Sequence, residues 1–324
     1  MLNSIAIIGA TGAVGAEFLN VLKHRNLNIG RLYLVASSRS AGTEIETYMG
    51  KLKVIDIEDF DFSKAQISFF SAGGAVSKIW APIAAEAGSI VIDNTSAFRM
   101  DKDKPLICPE VNGITSIYPI IANPNCSTIQ IVKALAPIHE LFGLKKVVVS
   151  TYQSVSGAGN KGIDELHFQL LNGHHKSDVF PESIAHNVVP QIDRMLESGS
   201  SFEEEKVRNE TRKILDLPEL DVVCTAVRVP VFRGHSAAVT VETEQPIDLS
   251  LLYSAYQELK HIEVSVQQFH TPKNIVDPAI TYISRIRQNP DNNKCLSCWV
   301  VADNLWVGAA LNGVLIAKQI LEVE

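Results

Sequence analysis

Short apolar runs alternate with amphipathic stretches through the first half of the chain. Ser4-Ile5-Ala6-Ile7-Ile8 predicts a buried strand, Gly9 to Gly15 a turn, and Phe18, Leu19 and Leu22 recur on one side of a helix. Strands are predicted over Arg31–Ala36, Ile67–Phe70 and Ile90–Ile92, with a helix over Val76–Ala87. Glycine and serine gather at the strand ends, in Ser71-Ala72-Gly73-Gly74 and Asp93-Asn94-Thr95-Ser96. This repeating order describes an α/β domain with a doubly wound parallel sheet, in which ligands bind outside the carboxyl ends of the strands.

The apolar run Ile120-Ile121-Ala122 then leads through Asn123-Pro124-Asn125-Cys126-Ser127-Thr128 into a helical pattern from Ile129 to Phe142. A strand over Lys145–Thr151, a charged helix over Glu203–Leu215, strands over Val222–Val229 and Ala237–Thr243, and a helical pattern over Val307–Leu321 complete the chain. No internal repeat or low-complexity linker interrupts it. Two closely packed domains are expected: residues 1–125 binding a nucleotide, residues 126–302 forming the second domain, and a tail, 303–324, packing back on the first.

Composition narrows the function. With 324 residues, 46% hydrophobic and 20% charged, the chain can bury a core in each domain, and a net charge of -7 argues against a nucleic-acid partner. No apolar run is long enough to span a bilayer, and Met1-Leu2-Asn3-Ser4 runs straight into a strand, so a cytoplasmic protein without a membrane partner is expected. The five cysteines, Cys108, Cys126, Cys224, Cys295 and Cys298, are too few and scattered for a disulfide framework. Cys295 and Cys298 lack further ligands at suitable spacing, as does the pair His174-His175, so no metal site is expected.

Candidate chemistry clusters at the predicted strand ends. Gly9, Gly12 and Gly15 lie between a strand and a helix, where glycine lets a dinucleotide pyrophosphate approach backbone N–H groups; a purely structural turn is the alternative. The second strand ends in Ser37-Ser38-Arg39-Ser40 with no carboxylate before Glu44, which favours the 2′-phosphate of NADP, although Arg39 also suits a solvated surface position. Arg99 lies just past another strand end, as an anion site or a surface ion pair. Cys126 sits where a helix begins, and the helix N-terminus favours a nucleophilic thiolate; a packed thiol is the other reading. Gln153 could orient an acyl group or the attacking thiol, and the turn from Ser156 and Gly157 to Gly159 could approach a nicotinamide; an ordinary strand-to-helix connection is the alternative. Glu210 and Lys213 share a helix face and could project together into a cleft, a solvated face being the alternative. Pro230 and Gly234 break the strand between Arg228 and His235, allowing them to converge: the guanidinium to grip a carboxylate, the imidazole, with a near-neutral pKa, to move the thiol's proton.

Taken together and in order, Gly9 to Gly15, Ser71 to Gly74, Ser96 to Arg99, Pro109 to Asn112, Asn123 to Thr128, Ser150 to Gly159, Pro190-Gln191-Ile192-Asp193 and Gly234-His235-Ser236 resemble the aspartate-semialdehyde dehydrogenase family along nearly the whole chain. The resemblance implies a Rossmann-type NADP domain joined to an α+β catalytic and dimerisation domain like the C-terminal domain of glyceraldehyde-3-phosphate dehydrogenase. It further implies reversible conversion of aspartate 4-semialdehyde and phosphate into 4-phospho-L-aspartate, in the biosynthesis of lysine, threonine, methionine and, in bacteria, diaminopimelate.

By motif, Cys126 would be the nucleophile, His235 the general acid/base and Gln153 the residue positioning the acyl-enzyme. Arg228 would bind the substrate carboxylate, Glu210 its amino group, and Arg99 with Lys213 the phosphate. Cofactor contacts would come from Gly9, Thr11, Gly12, Ala13, Val14, Ser38, Arg39, Ser40, Ser156, Gly157 and Asn312. A homodimer or dimer of dimers would be the assembly. The competing readings are N-acetyl-glutamyl-phosphate reductase, with the same chemistry on a longer acyl phosphate, and a catalytically silent paralogue. One departure stands out: Asp303-Asn304-Leu305-Trp306-Val307-Gly308 carries Val307 where the family often has a lysine, which bears on the cofactor contacts near Asn312.

Overall fold

Ile5 to Ile8 are wholly buried because they form the middle of a parallel sheet covered on both faces. The structure, a computed structural model, describes residues 2–25, 27, 29–173 and 177–323; His174-His175 lies outside them. The chain divides into two units, Met1–Asn125 with Ala309–Glu324, and Cys126–Gly308.

The first unit runs β1 (Leu2–Ile8), α1 (Ala13–His24), β2 (Ile29–Ala36), β3 (Glu44–Thr47), β4 (Gly50–Asp56), β5 (Ile67–Phe70), α2 (Gly74–Glu86), β6 (Ile90–Asp93) and β7 (Ile120–Ala122). Its seven strands lie in the order β3-β4-β2-β1-β5-β6-β7, all parallel except β3. The order reverses around β1, which opens the crevice beyond its carboxyl end. The β3–β4 hairpin was not expected: its edge strand, Glu44-Ile45-Glu46-Thr47, is short and charged, so no apolar run marks it.

Glycine shapes that crevice. Gly9 has φ +89°, and a Cβ there would lie 3.0 Å from the Ser71 carbonyl carbon and the Ala72 nitrogen. A Cβ on Gly15 would lie 2.2 Å from the Gly9 carbonyl oxygen, so α1 sits against the turn with no room for a methyl group. Gly15→Ala is therefore expected to destabilise the first unit by about 1–3 kcal/mol, read as a lower Tm together with weaker dinucleotide binding.

The second unit runs α3 (Cys126–Phe142), β8 (Leu144–Gln153), α4 (Asn160–Asn172), α5 (Phe202–Leu215), β9 (Asp221–Arg228), β10 (His235–Thr243), α6 (Leu249–Glu258), β11 (Ile262–Ser265), β12 (Thr281–Asn289) and β13 (Asn292–Ala302). Its mixed sheet has the order β11-β12-β13-β10-β8-β9. α3 is buried along most of its length, Gln130 and Lys133 included, with Ile131, Leu135 and Ile138 in the core beneath the sheet. The Tyr256 hydroxyl of α6 donates to the Ala134 carbonyl at 2.6 Å. Strand alternation leaves Val148, Tyr152 and Val223 exposed on this sheet.

The chain closes with a π-helical turn, Trp306–Ala310, and α7 (Leu311–Val323), which packs on α1 and β6 and sets Gly313 against the Phe18 ring. Residues 303–308 stay with the second unit, so the tail joining the first unit starts later than position 303. The physical reason is the side chain of Asp303, which accepts from Arg233 Nε at 2.6 Å and from the amides of Leu305 and Trp306. Among the described residues no helix is long and apolar enough to cross a membrane, and no group of three or more His, Cys, Asp or Glu could hold a metal ion.

Candidate active site

Sheet register in the second unit delivers three of the candidate residues to one edge. Gln153, the last residue of β8, pairs with Arg228, the last of the parallel strand β9; on the other side of β8, the antiparallel β10 begins at His235. The loop between Arg228 and His235 is pinned by Val155 and Ser156 amides donating to the Val231 and Phe232 carbonyls, and turns at Gly234, φ +89°. Arg228 Nη1 donates to the Ser154 carbonyl at 2.7 Å, and His235 Nδ1 accepts the Ser154 amide at 3.1 Å.

Guanidinium and imidazole meet over Gly157. A Cβ on that residue would lie 2.7 Å from Arg228 Nη1 and 3.3 Å from His235 Nε2, so only glycine leaves the space between them open. Asn304 braces the arrangement: its Oδ1 accepts from the Gly234 amide at 2.8 Å and from Ser154 Oγ at 3.2 Å, and its Nδ2 donates to Ser156 Oγ at 3.0 Å.

The electrostatics follow from burial. His235 is wholly buried, and its pKa is pulled down to about 3, first by desolvation and then by the Arg228 guanidinium. The expectation of a near-neutral imidazole is thus corrected: sequence spacing reveals neither the depth of the ring nor the cation beside it. Because Nδ1 accepts an amide N–H, the neutral ring carries its proton on Nε2, which is buried and has no partner among the described residues. Burial also lowers Arg228, opposed by the charges of Glu203 and Cys126.

Cys126 is the first residue of α3, where the orphan N–H groups of the helix end face a thiolate favourably. A Cβ on Gly308 would lie 2.8 Å from Cys126 Cβ, so the chain at Gly308 presses directly on the nucleophile candidate. On α5, Glu203, Val207, Glu210 and Ile214 form one buried stripe, and Lys213 is half-buried.

In the first unit, Arg99 is buried and spans two carbonyls, with Nε donating to Asn123 at 2.9 Å and Nη2 to Asn94 at 2.8 Å. Asp93 behind it accepts from Ser77 and Thr95, and burial raises its carboxyl above the usual range. Asn312 of α7 is buried and donates to the Ile107 carbonyl and to Asn123 Oδ1, while its own Oδ1 lacks a partner among the described residues.

The crevice of this unit fits a dinucleotide. α1 begins after Gly12, which has no side chain to cap the amides of its first turn, the kind of helix end at which a pyrophosphate binds. Thr11 Oγ1 lies 3.4 Å from Ser40 Oγ, joining the glycine turn to the loop that exposes Ser38 and Arg39.

Two family models match: "Semialdehyde dehydrogenase, NAD binding domain" over residues 4–116, and "Semialdehyde dehydrogenase, dimerisation domain" over residues 135–307. An aspartate-semialdehyde dehydrogenase from Shewanella violacea is 46% identical over 98% of this chain and 97% of its own length. The chain belongs to the aspartate-semialdehyde dehydrogenase family. Another member, from Bacillus subtilis, is 43% identical over 98% of this chain and 96% of its own. A crystal structure of aspartate semialdehyde dehydrogenase II from Vibrio cholerae, complexed with ASA, superposes with a TM-score of 0.95 at 44% identity, covering 99% of each chain.

Within the aspartate-semialdehyde dehydrogenase motifs, the structure brings Gln153, Ser156, Gly157, Arg228 and His235 together in the second unit, and the charge of Cys126 favours the cationic form of Arg228. Arg99 and Asn312 belong to an asparagine network of the first unit. Val307, in place of the frequent lysine, is wholly buried. Sequence reading assigned no role to Glu203, Asn304 or Gly308. Asn304 and Gly308 lie in the quoted stretch from Asp303 to Gly308; Glu203 had no signal beyond a dense acidic helix start.

Proposed function

We propose that the chain is an aspartate-semialdehyde dehydrogenase that interconverts 4-phospho-L-aspartate with L-aspartate 4-semialdehyde and phosphate, using NADPH and a thioester on Cys126, in aspartate-derived amino-acid biosynthesis. The observation that carries this reading is the meeting of Arg228 and His235 over Gly157, in the unit whose helix α3 begins at Cys126. The helix end and Arg228 favour the Cys126 thiolate, which attacks the acyl carbon of the phosphoanhydride. The carbon–oxygen bond to phosphate breaks, phosphate leaves and the thioester remains.

Arg228, its fork anchored on the Ser154 carbonyl, suits the substrate carboxylate, and Glu210 the amino group. Arg99 and Lys213 are the cations for phosphate. Thr11 to Val14, Ser38, Arg39, Ser40, Ser156, Gly157 and Asn312 would hold the cofactor, which when bound supplies a hydride to the thioester carbon. The chain's part in that step is to hold the carbon on sulfur and stabilise the oxygen as it gains charge.

His235 suits that task as a neutral Nε2–H donor. Addition of hydride to a thioester gives an oxyanion that collapses to aldehyde and thiolate, so no proton need leave the ring. The exposed apolar positions Val148, Tyr152 and Val223 support a homodimer, or a dimer of dimers, formed through the second unit's sheet.

A spectrophotometric assay tests the reading. Aspartate semialdehyde with phosphate should reduce NADP, and omitting phosphate should stop it; a preference for the N-acetylated glutamate semialdehyde would overturn the substrate assignment. Arg39→Ala should lower the preference for NADP over NAD about 10–100-fold, the worth of a lost charge-assisted hydrogen bond.

A further inference from the structure

A carboxamide has nearly the same shape with its oxygen and nitrogen exchanged, so packing alone does not set which end faces a reacting group. Gln153 is 1% exposed at the end of β8, and its Nε2 donates to Glu203 Oε1 at 3.1 Å and to Thr151 Oγ1 at 3.2 Å. Glu203 is itself 4% exposed, with Lys206 Nζ 3.2 Å from its other oxygen. Lys206 in turn reaches Asp193 at 2.8 Å. Asp193, the end of the Pro190-Gln191-Ile192-Asp193 motif, has φ +67° and accepts the Arg194 amide. An ionised carboxylate accepts hydrogen bonds and cannot donate them, and the lysine beside it favours the ionised state.

We propose that Glu203 is a positioning residue that sets the polarity of the Gln153 carboxamide, drawing its NH₂ away so that its oxygen is the atom presented to the acyl group on Cys126. Threonine could not do this alone, because a hydroxyl both donates and accepts. Asp193 and Lys206 complete a chain of alternating charge behind Glu203. In this orientation Gln153 is an acceptor and cannot serve the oxyanion, which leaves His235 Nε2–H as the side-chain donor. This rests on the thioester reading above.

The test is a double-mutant cycle on acylation without cofactor. Purified enzyme is mixed with 4-phospho-L-aspartate, and phosphate release is timed alongside the mass added to Cys126. Glu203→Met, of similar length and with no anionic acceptor, should slow acylation about 10–100-fold, the cost of a misplaced reacting group. Glu203→Gln, which accepts either polarity, should lose less. Neither should slow acylation further once Gln153→Ala is in place. If Glu203→Met does not fold, Glu203→Gln carries the cycle. Losses that multiply in the Gln153→Ala background, or Glu203 variants that acylate like the parent, would overturn the assignment. A parent enzyme that gains no acyl mass would overturn the thioester reading and the inference with it.

Discussion

Cys126→Ala is expected to lower turnover by on the order of 10⁴-fold or more, because without sulfur there is no covalent acyl carrier and the remaining groups only bind and orient. The expectation is specific to chemistry. Cys126 is partly exposed, so alanine removes one small atom from the site rather than a pillar of the core. Dinucleotide binding, whose proposed contacts do not include Cys126, should persist. Intact-mass measurement after mixing with acyl phosphate should show the acyl adduct on the parent and none on the variant. An active alanine enzyme would remove the covalent route altogether.

His235→Ala should cost about 10²–10³-fold in turnover, the range for losing one oxyanion donor. His235→Gln, whose amide can still donate, should recover part of it. The pH profile separates a donor from a proton carrier. With the ring pKa near 3, His235 stays neutral from pH 5 to 8, so the glutamine variant should follow a lowered curve of the parent's shape. A general base titrating near neutrality would instead take an acid limb with it when replaced.

The same burial has a stability signature. The folded-state pKa lies below the ordinary 6.5, so below that pH the unfolded chain takes up a proton that the folded chain does not. The contribution is complete above pH 6.5 and is lost as pH falls toward 3, at about 1.4 kcal/mol per pH unit. Urea titrations at pH 7 and pH 5 should show this slope in the parent and its absence in His235→Gln.

Much of this architecture was legible in the chain because it is local. The strand, glycine turn and helix from Ser4 to Leu22 announce themselves by periodicity, and Pro230 with Gly234 marked the bend that lets Arg228 and His235 meet. Other features depend on register across distant strands. Glu203 sits among Glu204, Glu205 and Lys206, a pattern that reads as a solvated face, and only the placement of α5 beside β9 turns it toward Gln153. The depth of His235, which lowers the pKa of its ring, is likewise a property of everything packed around it. The charged strand β3 escaped because an edge strand needs no apolar signal.

The helix that covers Phe18 is synthesised last among the described elements, after the entire second unit. A ribosome-bound chain therefore carries its nucleotide-binding half with one flank open while some 180 further residues emerge and fold. Cutting the chain at residue 125 should accordingly yield an aggregation-prone fragment, and fusing residues 309–324 to it through a flexible linker should restore solubility.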